Sequence, residues 1–229
     1  MTSIMLSKRL LQLVQCIPPQ SRVADIGTDH ANVPIFLVQN QLATQVIAAD
    51  IGKRPLEGAR RHIETRLGLS HGIELRCGGG LTVLKSGEVD TVIIAGMGGQ
   101  RIQAILSDHL AHSHSFERFV LQPNKGWTEL RQFLWANGFA IQAEHMLAEN
   151  KQIFLTLVVV VGEQDGDYLD AVGGPLLRQT DTAVRRLWLS KRSDTLRGIL
   201  EKHPERPFLE LRRELDAVMT LIRECTGHD

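Results

Sequence analysis

Apolar and polar positions alternate along this chain in a pattern that predicts strands and helices in turn. Apolar residues three or four positions apart between Leu6 and Ile17 predict an amphipathic helix over residues 5–16, which Pro18 and Pro19 end. Beyond it, short apolar runs predict strands, and segments with helical spacing lie between them. The strands are expected over residues 22–26, 46–51, 73–77, 89–95 and 119–122, and the helices over 34–39, 55–67, 101–110 and 127–137.

Two further apolar runs, 140–147 and 152–161, follow one another without a helix and are separated only by residues 148–151. They predict an antiparallel hairpin, whereas the strand–helix alternation before them predicts a parallel sheet. A mostly parallel, Rossmann-like α/β sheet with one antiparallel strand is the architecture of class I methyltransferases. Another doubly wound fold, such as that of a dehydrogenase, is the alternative.

The pattern changes after Gly162. Residues 164–167 and 173–175 are polar and rich in glycine, which predicts a linker, and two helical stripes of apolar residues follow on either side of residues 203–207. They predict an antiparallel two-helix hairpin with a coiled-coil seam, so we expect one domain over residues 1–162 and a helical hairpin domain over 163–229. The stripes comprise Leu176, Thr180, Ala183 and Leu187, and then Phe208, Leu211, Leu215, Val218 and Ile222.

Composition and charge limit the kinds of binding partner and site that this chain can have. Because 26 basic residues balance 26 acidic ones, a strongly basic nucleic-acid coat is excluded, although a local basic patch is not. The three cysteines form no CxxC pair and no pair of histidines has metal-ligand spacing with carboxylates, so we expect neither a disulfide framework nor a metal site. The longest apolar run, 156–161, is too short to span a bilayer, and we expect a cytoplasmic protein.

The first candidate site is the segment from Asp25 to His30, at the carboxyl end of the first strand. Ligands of open α/β sheets bind at this edge, and Gly27 lets the backbone turn sharply there. A dinucleotide fingerprint would have three glycines, and the Asp29 carboxylate would repel a pyrophosphate. S-adenosylmethionine carries an ammonium, a sulfonium and no phosphate, so an acidic loop suits it. A tight turn with surface carboxylates is the alternative.

The next three strands end at the same edge. Asp50 ends the second strand, where a carboxylate can accept hydrogen bonds from ribose hydroxyls; a charge at the start of a helix is the alternative. Gly78, Gly79 and Gly80 follow the third strand and permit backbone contact with a flat adenine. Residues 95–99 follow the fourth strand, where a reacting methyl group would meet its acceptor. They lack the Asn/Asp-Pro-Pro-aromatic loop of enzymes that methylate exocyclic amines, which disfavours that reaction.

The fifth strand ends in Gln122, Pro123 and Asn124. The two side-chain amides can contact the edge of a base. A turn in which Asn124 hydrogen-bonds its own backbone is the alternative.

Several of these segments together resemble motifs of the TrmK family, whose members methylate N1 of the adenine at position 22 of bacterial tRNA. The resemblance spans residues 5–160 and continues into the predicted hairpin, which the family also carries. It implies a class I methyltransferase domain that uses S-adenosylmethionine. The matching segments are Leu6–Leu10, Val23–Ala31 with Pro34, Arg76–Leu81, Ile93–Gly99 and Leu121–Asn124.

The resemblance also implies a cofactor site, with two departures from the family pattern. Asp50 stands where the family usually has Glu. This replacement keeps the carboxylate that contacts the ribose, on a shorter side chain. Gly79 stands where the family has the Asp expected to hold the adenine amino group. The implied site comprises Asp25, Gly27, Thr28, Asp29, His30, Asp50, Ile51, Gly78, Gly79, Gly80, Ala95, Gly96, Met97 and Gly98.

The implied chemistry needs few catalytic groups. Because N1 of adenine has a free lone pair at neutral pH, we expect no general base, only alignment of the acceptor. Asp29 is the candidate for stabilising the cationic product, and Asn124 the candidate for orienting the base. A different methyl acceptor and a non-catalytic scaffold are the alternatives, and a monomer or weak dimer is expected. Candidate tRNA phosphate contacts are Lys8, Arg9, Arg101, Lys125, Arg131, Arg185, Arg186, Lys191 and Arg192.

Overall fold

Seven strands form one sheet in a computed structural model that describes residues 3–69 and 72–226. Their order across the sheet is β3-β2-β1-β4-β5-β7-β6. The strands are β1 Ser21–Ile26, β2 Ala43–Asp50, β3 Ile73–Cys77, β4 Thr91–Met97, β5 Arg118–Pro123, β6 Phe139–Glu149 and β7 Gln152–Val161.

The predicted mostly parallel sheet is confirmed, and the antiparallel strand lies inside it. Strands β1 to β5 pair in parallel, whereas β7 pairs antiparallel with both β5 and β6. The turn at Asn150 and Lys151 has positive φ at both residues, which suits a tight hairpin. Residues 155–159 of β7 are all buried, whereas β6 is exposed at intervals. The apolar strand therefore takes the interior position and β6 forms the edge.

Helices cover both faces of the sheet. Alternate residues of a strand point to opposite faces, so Val23 joins the core beneath α1, α2 and α3, whereas Ala24 joins the core beneath α4 and α6. The helices are α1 Lys8–Gln15, α2 Asn32–Gln39, α3 Lys53–Leu67, α4 Gly99–Ser107, α5 Leu110–Ser113, α6 Trp127–Ala136, α7 Tyr168–Gly173, α8 Ala183–Lys202 and α9 Leu209–Thr226. Within the described residues, no helix is long and apolar enough to cross a membrane.

The predicted helical hairpin is confirmed, but the predicted seam in its first helix is wrong. Leu187 is 43% exposed, and Leu176 precedes α8. The buried residues of α8 are Arg185, Leu189, Ser193 and Leu196. Two of these four buried positions are polar, so the spacing of apolar residues predicted the wrong face of α8 as the buried one. In α9 the predicted stripe is correct: Val218 is buried, and Leu211, Leu215 and Ile222 pack against the same core.

Residues 164–167 of the predicted polar linker lie outside helices and strands, as expected, but the residues between its two polar stretches form a packed helix. Asp167 and Asp170 form a capping box that starts α7. The buried Arg131 side chain of α6 donates to the Ala171 carbonyl over 2.8 Å and to Glu144 over 2.8 Å. Glu144 also accepts from the backbone N–H of Leu176 over 3.0 Å. This buried pair joins the sheet to α7 and to the segment before α8. The outer ends of both expected domains, residues 1–2 and 227–229, lie outside the described residues.

Candidate active site

The loop between β1 and α2 is a strained turn at the carboxyl edge of the sheet. Gly27, Asp29 and Ala31 have φ angles of +79°, +50° and +54°. The backbone N–H groups of Gly27 and Thr28 both donate to the Ala49 carbonyl, over 2.8 and 3.0 Å, which ties the loop to β2. Left-handed conformations at residues other than glycine cost free energy and collect at functional sites.

Asp25 provides a buried carboxylate at the base of this turn. Its side chain accepts a hydrogen bond from Thr28 Oγ1 over 2.8 Å. Burial raises the pKa of the Asp25 carboxyl from 3.8 to about 6; the Thr28 hydrogen bond opposes this shift, and the negative charge of Asp50 adds to it. A cationic group bound nearby would restore the ionised form, so the electrostatics of this site favour a ligand with an ammonium.

A cleft of about 740 Å³ lies beside this loop and is lined by Asp50, Ile51 and the three glycines that follow β3. Asp50 Oδ1 accepts from the Gly52 N–H over 2.8 Å, which fixes the carboxylate. Its Oδ2 has no hydrogen bond among the described residues and can accept from a ribose hydroxyl. Ile51 is 65% exposed at the cleft, an unusual state for a large aliphatic side chain that a flat adenine would cover.

The three glycines after β3 differ in what they allow. A Cβ on Gly78 would lie 2.5 Å from Val83, and Gly80 has a φ of +56°. A Cβ on Gly79 would meet only Ile51 Cδ1, at 3.5 Å, an ordinary contact. Gly79 is therefore the one glycine of the three that could carry a side chain without strain, which supports the alignment of this position with an Asp in the TrmK family.

A second, smaller cleft of about 260 Å³ shares three lining residues with the first: Gly27, Ala95 and Gly96. Asp29 and His30 line this smaller cleft and are exposed, with a separation of 3.6 Å between the carboxylate and the imidazole. The two clefts therefore meet between the β1–α2 loop and the β4–α4 loop, where a ligand can extend from one into the other.

The loops after β4 and β5 are joined by hydrogen bonds. Asn124 Nδ2 donates to the Gly96 carbonyl over 2.7 Å, and the Asn124 backbone N–H donates to the Met97 carbonyl over 2.7 Å. The Gly99 N–H donates to the Lys125 carbonyl over 2.8 Å. The amide of Asn124 is thus fixed beside the junction of the clefts, and its Oδ1 has no hydrogen bond among the described residues.

The structure brings together most of the predicted site residues. Asp25, Thr28, Asp29 and His30 line the smaller cleft. The residues that line the larger cleft are Asp50, Ile51, Gly78, Gly79, Gly80 and Met97, and those shared by both are Gly27, Ala95 and Gly96. Gly98 lines neither cleft; it precedes α4, and a Cβ there would lie 3.6 Å from the Lys125 side chain.

Gln122 is not available to contact a base, because it is fully buried and bonded to other residues. Its Oε1 accepts from Arg9 Nη1 over 2.8 Å, and its Nε2 donates to Thr156 Oγ1 over 3.0 Å. The Arg9 guanidinium also lies 5.4 Å from the ring centre of Phe154 and lines the smaller cleft. Arg9 is therefore a site residue, not only a surface cation.

The predicted phosphate contacts differ in their burial and in their pairing with carboxylates. Arg131 and Arg185 are buried, so their prediction as phosphate contacts is wrong. Arg101 lines the larger cleft. Arg186 and Arg192 pair with Asp181 and Glu214, both over 2.6 Å. Among the predicted set, the exposed cations without a carboxylate partner in the described residues are Lys8, Arg101, Lys125 and Lys191.

The strand order, the single inserted antiparallel strand and the joined clefts define a class I methyltransferase that uses S-adenosylmethionine. A model of the methyltransferase domain family matches residues 6–157. The chain aligns over its full length with the whole tRNA (adenine(22)-N(1))-methyltransferase of Bacillus subtilis at 34% identity.

Two solved structures are similar to the whole chain. The B. subtilis m1A22 tRNA methyltransferase TrmK has a TM-score of 0.83 at 29% identity, with 98% of this chain and 99% of that chain covered. A Streptococcus pneumoniae protein in complex with S-adenosyl-L-methionine has a TM-score of 0.87 at 30% identity, with 95% of this chain and all of that chain covered. The chain belongs to the TrmK family of tRNA (adenine-N1)-methyltransferases.

Proposed function

We propose that this protein transfers a methyl group from S-adenosylmethionine to N1 of the adenine at position 22 of tRNA. The main support for the proposal is that two clefts join between Gly27 and Gly96. The Asn124 amide lies beside this junction and is held there by its hydrogen bond to Gly96. The full-length similarity to the B. subtilis enzyme supports the choice of acceptor.

The residues at the clefts fit the cofactor group by group. Asp50 Oδ2 accepts from the ribose, and Ile51 with the backbone of residues 78–80 contacts the adenine. Asp25 and Thr28 line the smaller cleft and are hydrogen-bonded to each other. The negative charge of the ionised Asp25 attracts the ammonium of the methionyl end of the cofactor. The glycine at position 27 allows close approach of the backbone. When bound, the cofactor supplies an electrophilic methyl group on a sulfonium.

The chain's own residues then hold and orient the acceptor. N1 of adenine carries its lone pair in the plane of the ring, so no residue needs to remove a proton. Asn124 Oδ1 accepts from the exocyclic amine of the base, because its Nδ2 is committed to the Gly96 carbonyl. Asp29 lies in the adjoining cleft, where its carboxylate stabilises the positive charge that N1 gains. Alignment provides most of the catalysis.

We also propose how the protein meets its substrate. The exposed cations Lys8, Lys125 and Lys191 contact phosphates, while the sheet domain, residues 1–162, presents the cofactor to the base. The hairpin domain, residues 163–229, extends the surface available to tRNA. The protein acts in the cytoplasm, where its tRNA substrate is found, without a metal ion and as a monomer or weak dimer.

The decisive experiment is methylation of a tRNA transcript, followed by mass spectrometric mapping of the modified nucleotide. We expect 1-methyladenosine at position 22 alone, and no product with a transcript that carries guanine at that position. An Asn124→Ala variant should bind S-adenosylmethionine as the wild type does and lose most turnover. Methylation of a different nucleotide would show that adenine 22 is not the methyl acceptor. Failure of the wild type to bind S-adenosylmethionine in calorimetry would show that the chain is a non-catalytic scaffold.

A further inference from the structure

Gln122 is a buried amide to which the proposed function gives no role. It lies near the carboxyl end of β5 and is fully buried. Its Oε1 accepts a hydrogen bond from Arg9 Nη1 over 2.8 Å, and its Nε2 donates to Thr156 Oγ1 over 3.0 Å. Because a buried amide without partners costs free energy, Gln122 depends on both of these side chains.

The hydrogen bonds of Gln122 continue to helix α1. Thr156 in β7 is also fully buried, and its hydroxyl donates to Gln12 Oε1 over 2.9 Å. Arg9 and Gln12 are three positions apart on α1, so both side chains lie on the face that meets β5 and β7. A chain of hydrogen bonds thus runs from Gln12 through Thr156 and Gln122 to the Arg9 guanidinium.

This chain also fixes which end of the Gln122 amide faces Arg9. A hydroxyl has one proton to donate, and Thr156 uses it on Gln12. Thr156 can therefore only accept from Gln122, so the Gln122 nitrogen points to Thr156 and its oxygen points to Arg9.

The hydrogen bond to Gln122 leaves one edge of the Arg9 guanidinium free. Nη1 is bonded to Gln122, whereas Nε and Nη2 have no hydrogen bond, and the group no carboxylate partner, among the residues that the structure describes. Nε–H and Nη2–H are parallel donors that can bind a carboxylate in a bidentate way. The Phe154 ring, whose centre lies 5.4 Å from the guanidinium carbon, packs beside the group.

The smaller cleft contains charges of both signs. Arg9 lines it, and a Cβ on Gly96 would lie 3.9 Å from Arg9 Nη1, at the junction of the two clefts. The carboxylates of the described lining are Asp25 and Asp29, and His30 is its other titratable group. The methionyl end of S-adenosylmethionine carries an ammonium and a carboxylate, next to the sulfonium. The two carboxylates of the cleft suit the two cations, and Arg9 suits the carboxylate.

We propose that Gln122 is a positioning residue, which holds the Arg9 guanidinium where its free edge binds the carboxylate of the methionyl end. The proposal rests on the proposed function and adds a source of ligand selectivity: a buried amide that never contacts the ligand. Thr156 and Gln12 support Gln122 from the interior. The selectivity of the smaller cleft for a ligand with a carboxylate therefore depends on residues of β5 and β7 that lie beneath it.

The test is a double-mutant cycle, measured by calorimetry with two ligands. S-adenosylmethionine is compared with its decarboxylated form, which keeps the sulfonium and the amino group and lacks the carboxylate. Gln122→Met should bind S-adenosylmethionine about fivefold more weakly and Arg9→Met at least about tenfold, whereas neither should weaken binding of the decarboxylated ligand. The double variant should bind S-adenosylmethionine no more weakly than Arg9→Met alone, because Gln122 acts through Arg9.

Two further variants separate positioning from a general loss of stability. Gln164→Met is the matched control: this half-buried amide accepts hydrogen bonds from Trp135 Nε1 and the Ile141 N–H and lines neither cofactor cleft. It should lose stability and keep the wild-type preference for S-adenosylmethionine over the decarboxylated ligand. Thr156→Val has nearly the same shape as the wild-type side chain and removes the partner of Gln122 Nε2, so it should reduce that preference even if Gln122→Met does not fold.

Three results would overturn the positioning role and leave the proposed function intact. The first is equal weakening of both ligands by Gln122→Met or Thr156→Val, which would make the amide purely structural. The second is an unchanged preference in these variants, or additive losses in the double variant. The third is an Arg9→Met protein that keeps the preference and loses affinity for tRNA, which would assign Arg9 to the RNA. Failure of the wild type to bind S-adenosylmethionine would overturn the proposed function as well.

Discussion

At the scale of single residues, Gly79 is the clearest difference between this chain and the family pattern. The structure gives it room for a side chain, with Ile51 Cδ1 at 3.5 Å as the nearest atom to an added Cβ. The two flanking glycines have no such freedom. We therefore expect the missing carboxylate to remove a contact to the adenine amino group without altering the shape of the loop.

Gly79→Asp should strengthen S-adenosylmethionine binding by about tenfold, since a hydrogen bond to a charged group contributes about 1.5 kcal/mol. Calorimetry measures the effect. Gly79→Ala is the control and should leave both cofactor affinity and melting temperature close to those of the wild type. If the Asp variant binds the cofactor no more tightly than the Ala variant, Gly79 does not face the adenine amino group.

Asp25 should make cofactor binding depend on pH. Its pKa of about 6 means that the carboxyl is neutral below that pH and negative above it, so affinity for the cationic cofactor should rise as the pH increases through 6. Asp25→Asn should weaken binding at pH 8 and remove this dependence. Because His30 and Asp29 line the same cleft, His30→Gln is the control, and it should keep the dependence.

The raised pKa of Asp25 also predicts that the stability of the cofactor-free protein falls as the pH rises, whereas its cofactor affinity increases. The folded state holds the Asp25 proton more tightly than the unfolded state, so stability due to this group is present at low pH and is lost as the pH rises from about 4 to 6. Asp25→Asn should therefore raise the melting temperature of the cofactor-free protein at pH 8. A lower melting temperature there, measured by calorimetry, would contradict the raised pKa.

Some residue roles have no signal in the sequence. Arg9 bonds to Gln122, which is 113 positions away, and no spacing rule predicts that contact. Arg131 and Arg185 look like any other surface cations in the sequence, and only the packed structure shows that they are buried. Asp25, Gly27 and Asp50 were predictable because each lies at or beside the end of a strand, and these strand ends meet at one edge.

At the scale of elements, the active site depends on the contact between the β4–α4 and β5–α6 loops. A Cβ on Gly99 would lie 2.4 Å from the Gly126 carbonyl oxygen and 2.9 Å from that of Lys125. Both are backbone atoms, so the loops would have to separate. Since Asn124 lies just before this contact, separation would also displace the amide that orients the base.

Gly99→Ala should destabilise the protein by roughly 1–3 kcal/mol, as overpacking does, and should lower turnover on tRNA more than it lowers cofactor affinity. The matched control is Gly58→Ala in α3, where no atom lies within 4 Å of the added Cβ. That variant should gain about 0.5–1 kcal/mol, because alanine favours a helix over glycine. Chemical denaturation and steady-state kinetics measure both effects.

The elements themselves were largely predictable, with two physical exceptions. Strands and helices of the sheet have strong apolar periodicity, so their existence and order follow from the pattern. In α8 the buried stripe includes Arg185 and Ser193, so periodicity of apolar residues could not give its phase. No helix was predicted over residues 168–173, between the two polar stretches, because the Arg131 side chain that contacts this segment is distant in sequence.

At the scale of the whole molecule, the buried Arg131–Glu144 pair connects the sheet with the hairpin. Arg131 donates to carbonyls at the end of α7, and Glu144 accepts from the backbone that follows. Both side chains are almost completely buried. The pair thus joins the sheet to the segment that leads into the hairpin.

Arg131→Met should cost about 3–5 kcal/mol, because it leaves the Glu144 charge buried without a partner. Limited proteolysis should then cut residues 163–182 faster, while the sheet domain still binds S-adenosylmethionine. Arg22→Met is the control: its pair with Asp90 is partly exposed, so we expect a clearly smaller loss of stability. Equal losses in the two variants would show that the buried pair has no special role.

The most direct test of the central claim is a crystal structure of the protein with S-adenosylhomocysteine. We predict one continuous ligand that crosses between Gly27 and Gly96, with its ribose on Asp50 and its amino group in the smaller cleft beside Asp25 and Thr28. A ligand bound elsewhere, or two clefts that stay empty at saturating concentration, would contradict the assignment of this edge as the methyltransferase site.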